Sequence, residues 1–80
     1  MYAFQIKYSY REQVGSKLSA QEYQDKITIF TDGDALHALI EALNKIKPPI
    51  EWEDEDGTKH ESFREEIFIF DVELLAETNE

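Results

Sequence analysis

Five carboxylates fall within the seven residues EWEDEDG, Glu51–Gly57. Oxygen donors this close together are what a hard cation such as calcium demands, and calcium loops turn sharply at a glycine. The EF-hand spacing is nevertheless not met. With Gly57 as the loop glycine, Asp54 and Asp56 fall on ligand positions, but Trp52 takes the first one and Phe63 the place of the bidentate glutamate. Transition metals need His or Cys in a spaced set, and the chain has two histidines, His37 and His60, in separate segments and no cysteine. His37 lies four residues before Glu41 on a helical pattern, the spacing of a solvated imidazole beside a carboxylate. Ser9, Ser16, Ser19 and Ser62 lack the context of a nucleophile elbow, and three glycines make no phosphate loop. Acid pairs for glycoside hydrolysis can be drawn from many positions, but 80 residues leave little room for a cleft around them. The reading is a non-enzymatic protein without metal or cofactor.

The carboxylates then matter as charge. The chain carries 18 acidic and 8 basic residues, a net charge of −10. Such a surface repels nucleic acid and anionic membranes, and it attracts and steers a basic protein partner. A small aromatic and basic cluster, Lys7, Tyr8, Tyr10 and Arg11, has the residue types of a single-strand stacking platform, but it sits in a negative field with its cations on the opposite strand face from its tyrosines. The reading is no direct nucleic-acid binding and no membrane. Between Glu51 and Glu66 there are eight acids and two bases, a local charge of −6. Glu51, Glu53 and Glu55 would share one strand face at a repeat of about 6.5–7 Å. A row of carboxylates at fixed spacing competes for the same Lys and Arg side chains that hold phosphates. Like charges also keep an exposed hairpin soluble and unpaired, so both readings stand. The candidate partner-binding residues are Glu51, Glu53, Asp54, Glu55 and Asp56, supported by Glu61, Glu65 and Glu66. Trp52 is an interface anchor if exposed and a packing residue if not.

The elements that must position these residues follow from periodicity. Tyr2, Phe4, Ile6, Tyr8 and Tyr10 alternate with Ala3, Gln5, Lys7, Ser9 and Arg11, which predicts a strand. After a polar connection with Gly15 and Ser16, residues 22–31 predict a second strand with Tyr23, Asp25, Ile27 and Ile29 on one face, paired with the first as a hairpin. Thr31 or Asp32 can cap a helix of about fourteen residues, roughly 21 Å long, with Asp34 in its first turn. Its apolar stripe is Leu36, Leu39, Ile40, Leu43 and Ile46, and Pro48-Pro49 ends it.

Asp56-Gly57 then predicts a two-residue hairpin turn, with Ile50 opposite Phe63, Trp52 opposite Glu61, Asp54 opposite Lys59 and Glu53 opposite His60. The last strand opens with IFIF, apolar on both faces, which predicts a central strand covered on both sides. Residues 76–80 are expected to fray. The fold class is α+β: a single domain over residues 1–80, with an antiparallel sheet of four to five strands on one helix in the order β-β-α-β-β-β. Five Phe, four Tyr and one Trp supply a core dense enough for so short a chain. The absence of cysteine, of a leader-like N-terminus and of a long apolar run fits a cytoplasmic location.

A small α/β core carrying an acidic hairpin, IEWEDEDGTKHESFREE, and no catalytic constellation resembles the small phage-encoded inhibitors of bacterial defence, anti-CRISPR proteins among them. Acidic immunity proteins that block nuclease toxins share the layout. The resemblance implies an inhibitor that occupies the nucleic-acid-binding or regulatory surface of a nuclease or CRISPR effector. The alternative is a structural or assembly protein that pairs through an exposed strand edge, as a homodimer or in a phage or host complex.

Overall fold

The first predicted strand becomes the axis of the sheet. β1 (Tyr2–Val14) is hydrogen-bonded along both edges. On one edge it pairs antiparallel with β3 (Tyr23–Thr31) through Tyr2–Tyr10, and at its far end with the short β2 (Lys17–Leu18). On the other it pairs antiparallel with β5 (Lys59–Glu77), whose opening residues also carry β4 (Ile50–Glu53). The helix α1 (Ala35–Ile46) lies on one face. The chain is described by a computed structural model over residues 1–77, and within these the elements run β-β-β-α-β-β, an α+β fold of one helix and a five-stranded antiparallel sheet.

Period-2 alternation drives the core. Phe4, Ile6 and Tyr8 point to the helix face together with Ile29, which lies opposite Phe4, and Ile6 and Ile29 have no exposed surface. The predicted first hairpin is therefore present in the predicted facing. The additional strand arises from the Gly15-Ser16 turn, which closes Val14 onto Lys17; Gly15 has φ +62°. Ser19 extends this pairing, its N–H donating to Glu12 O and its Oγ accepting from Glu12 N–H.

The helix is where it was expected, but it buries a different face. Asp34, rather than Thr31 or Asp32, is the N-cap: its Oδ1 accepts from His37 N–H at 3.1 Å. Thr31 Oγ1 instead accepts from Gly33 N–H. A side chain at Gly33 would lie within 2.6–2.8 Å of His37, so this glycine is required by close approach. Ala38, Ala42 and Ile46 are buried, while Leu36 and Ile40 of the predicted stripe are 62% and 52% exposed. Alanines one turn apart let the helix axis come close to a sheet surface already filled by Ile6, Tyr8 and Ile29. The bulky residues are left on its flanks.

The two predicted C-terminal strands are one, because residues 63–67 hold no glycine or proline to break them. Bulges absorb the curvature instead, one of them near Glu66, which has φ +50°. They also resolve the mixed facing of IFIF. Ile69 lies opposite Tyr8 and Val72 opposite Ile6, with Phe70 and Asp71 both between them, so Ile67, Ile69 and Val72 all pack toward the helix side. The other face of β5 is not covered as expected. Phe68 is 65% exposed there, as is Phe30 on β3. Ala76 and Glu77, expected to fray, pair with Ala3 and Tyr2, and the rest of that expectation, residues 78–80, lies outside the described residues.

Ile29→Ala should destabilise the fold by about 2–5 kcal/mol, because it empties a fully enclosed site. Leu36→Ser should cost less than about 0.5 kcal/mol despite removing a larger apolar residue than many in the core. Urea unfolding followed by far-UV circular dichroism distinguishes this from the stripe predicted by periodicity, for which Leu36→Ser would be the costly change.

Candidate functional site

The acidic hairpin closes through a loop one residue longer than predicted. Asp54 N–H donates to Thr58 O and Gly57 N–H to Asp54 O, each at 3.0 Å. Glu55, Asp56 and Gly57 thus form a three-residue loop, a type I turn followed by a glycine bulge at φ +79°. The signal was in the sequence, since Asp at the first and Gly at the fourth position favour a type I turn over Asp54–Gly57. One residue of slip changes every pairing: Ile50 lies opposite Ser62, Glu51 opposite Glu61, Trp52 opposite His60 and Glu53 opposite Lys59.

Asp54 is thereby a structural residue of the turn rather than a free carboxylate. Its Oδ1 accepts from Asp56 N–H and Thr58 N–H at 3.0 Å, and its Oδ2 accepts from His60 Nε2 at 2.8 Å. The His60 hydrogen bond, followed by the Thr58 amide, holds the Asp54 carboxyl below the ordinary value of 3.8. His60 in turn stacks under Trp52, with ring centroids 5.3 Å apart. Trp52 is 41% exposed, one face packed and the other open to solvent.

Alternation places Trp52 and His60 on one side of the hairpin and Glu51, Glu53, Lys59 and Glu61 on the other. Glu51 and Glu61 are cross-strand neighbours, with Cβ atoms about 4.5–5.5 Å apart, and like charges so placed repel. Glu55 and Asp56 extend the negative surface at the tip, and all of these acids are exposed. Glu65 and Glu66 do not join them. Glu65 lies opposite Arg11, and Glu66 Oε2 is 3.2 Å from Arg11 Nε. Of the nine predicted partner-binding residues, the fold brings together Glu51, Trp52, Glu53, Glu55, Asp56 and Glu61, assigns Asp54 to the turn, and sets Glu65 and Glu66 apart.

His37 faces Asp34 instead of Glu41, with Nδ1 2.8 Å from Asp34 Oδ1. This bond and the His37 backbone amide hold the Asp34 carboxyl low, at a fully exposed helix terminus. The aromatic and basic cluster is split by the sheet. Tyr8 is buried, its hydroxyl 3.4 Å from Asp25 Oδ2, and burial pushes its phenol above the usual range. Tyr10 is covered by the Arg64 guanidinium, 5.6 Å from the ring centroid. Among the described residues no group of three His, Asp or Glu side chains could hold a metal ion, and no helix is long and apolar enough to cross a membrane. No known protein family, curated sequence or solved structure matches this chain.

The Asp54 hydrogen bonds make the hairpin acid-sensitive. A carboxyl whose folded value lies below 3.8 contributes stability that is full above that value and lost as the pH falls through the lowered one. Trp52 fluorescence should therefore change as the turn opens between about pH 4 and pH 2. Asp54→Ala should lose that transition and alter the Trp52 spectrum already at neutral pH. A spectrum for Asp54→Ala identical to that of the unsubstituted chain would contradict this role.

Proposed function

We propose that this chain is a non-catalytic inhibitor that binds a basic protein surface through its acidic β4–β5 hairpin. The observation that carries the reading is the Glu51–Glu61 pair. Two carboxylates set directly opposite one another, with Glu53 on the same face and Glu55 and Asp56 at the tip, weaken the hairpin that bears them. Lys59 opposite Glu53 compensates one of these charges. A cationic partner would compensate the others, turning a cost in the free chain into attraction in the complex. Surfaces that hold nucleic-acid phosphates present the Lys and Arg side chains this requires. Occupying such a surface on a nuclease or CRISPR effector would exclude its nucleic acid, which is the mode of the anti-defence inhibitors and immunity proteins that the layout resembles. Trp52, open on one ring face and held by His60 on the other, would add a rigid aromatic anchor beside the charges.

The triple variant Glu51→Lys, Glu55→Lys, Glu61→Lys tests the reading while keeping the Glu53–Lys59 pair and the Asp54 turn. Each reversal adds two charges, so the net charge moves from −10 to −4. The immobilised chain should retain a nuclease or CRISPR effector from bacterial lysate at about 50 mM salt and release it at about 500 mM. It should also displace DNA from that effector, and the triple variant should do neither. An effector held equally by the triple variant, or one that still binds DNA when saturated with the chain, would overturn the proposal.

A further inference from the structure

Beyond the hairpin, the fold exposes far more surface than its mass requires. A compact monomer of 9.4 kDa is expected to expose about 5,000 Å², whereas this chain exposes 5866 Å². Its radius of gyration is 15.2 Å, against about 12 Å for a compact chain of this length. The surplus, roughly 850 Å², is the area that one partner contributes to a standard protein interface.

The largest open element is the outer edge of β5. Its first residues, Lys59–Ser62, are paired by β4. From Phe63 to Glu77 its other edge is hydrogen-bonded to β1 along most of its length, and this one has no strand partner among the described residues. An unpaired edge of that length, about 50 Å, is a template for another strand. The outer edge of β3 is also open, but it presents Lys26, whose amide is already taken by the Asp25 carboxylate. A lysine on the edge is a common guard against pairing.

We infer that the occupant of the β5 edge is β5 of a second copy, in antiparallel register about a two-fold axis between Phe70 and Asp71. The bulges supply the reason. By pairing with β1 and by packing, Arg64, Ile67, Ile69, Val72, Leu74 and Glu77 lie on the helix face. Glu65, Phe68, Asp71, Glu73 and Ala76 lie on the other, where Phe70 lines the surface beside Lys7; Glu66 and Leu75 fall at register shifts. This pattern is irregular, yet it reads the same in both directions from the midpoint of Phe70 and Asp71. A two-fold there sets Ile69 beside Val72 of the second copy and Ile67 beside Leu74, helix face to helix face. Arbitrary bulges would instead force apolar residues of one copy across from the solvent face of the other.

The charges obey the same axis. Glu73 meets Phe68, Glu65 meets Ala76, and no acid meets an acid over residues 64–77, although this strand segment carries five of them. Arg64 meets Glu77, giving an opposite-charge pair at each end. Arg64 Nε is buried without a hydrogen-bond acceptor among the described residues, and the second copy brings a carboxylate to that guanidinium. In this register Glu77 of the second copy lies opposite Arg64, two residues from Ser62, where β4 begins. The result is a continuous antiparallel sheet across two copies, with the acidic hairpins at its opposite ends.

Phe70 is 46% exposed, which allows the axis to be altered without touching the core. Sedimentation equilibrium on the full chain should give twice the chain mass at micromolar concentration. Phe70→Glu places that carboxylate against Asp71 of the other copy twice, and it should raise the dissociation constant at least tenfold. Phe70→Lys makes two ion pairs at the same place and should leave the dimer intact or tighter. Urea unfolding of the two variants at a concentration where both are monomeric checks that the fold is unchanged. A monomeric wild-type chain at about 100 µM, or a dimer indifferent to Phe70→Glu, would overturn the inference. These outcomes do not depend on the charge-reversal variant of the hairpin, so either reading can fail without the other.

Discussion

The structure depends on the contact between β1 and the alanine face of α1. Ile6 and Ile29, on neighbouring strands, are enclosed because Ala38 and Ala42 let the helix settle directly on them, and Ile46 closes the end of that contact. A leucine at either alanine position would hold the helix off the sheet by the width of its side chain, at a cost of about 1–3 kcal/mol. The Asp34 cap and the close approach at Gly33 fix where the helix starts, and so which residues face down. Hydrogen bonding on both edges of β1 then transmits this local packing to β3 on one side and β5 on the other.

That same contact sets what is left open. The helix sits over the β3–β1 side of the sheet, so β5 packs against the core with Ile67, Ile69 and Val72 while Leu74 stays half exposed. On the opposite face no second layer is present among the described residues, and Phe30 and Phe68 stand in solvent. One helix cannot cover both faces of a five-stranded sheet. Open surface is therefore a consequence of the fold, concentrated along β5 rather than spread evenly.

What could be read from the sequence divides along physical lines. The first hairpin, the helix and the antiparallel sheet were legible because unbroken alternation and a capped, proline-terminated apolar run are local signals. The helix face was not legible, since periodicity ranks residues by hydrophobicity whereas close packing selected by size and buried Ala38 and Ala42 in place of Leu36 and Ile40. The facing of β5 was also hidden, because bulges are set by the partner strand. At the hairpin the carboxylates were visible but their pairing was not: reading Asp56-Gly57 as a two-residue turn missed the type I turn that Asp54 begins. That one residue decides whether Trp52 faces Glu61 or His60, and whether Asp54 is a ligand for a partner or a brace for the loop.

Asp54 shows how the hairpin can be both acidic and ordered. Five carboxylates in seven residues would disorder a turn by mutual repulsion if all were left to solvent. One of them is instead consumed by two backbone amides and an imidazole. That imidazole supports the indole ring of Trp52, so the residue that rigidifies the loop also orients the aromatic side chain next to the remaining charges. The outward carboxylates are thereby carried on a preorganised frame, which would lower the entropy lost on binding the proposed partner. The frame is closed by hydrogen bonds within the hairpin and does not draw on the β5 edge beyond Ser62.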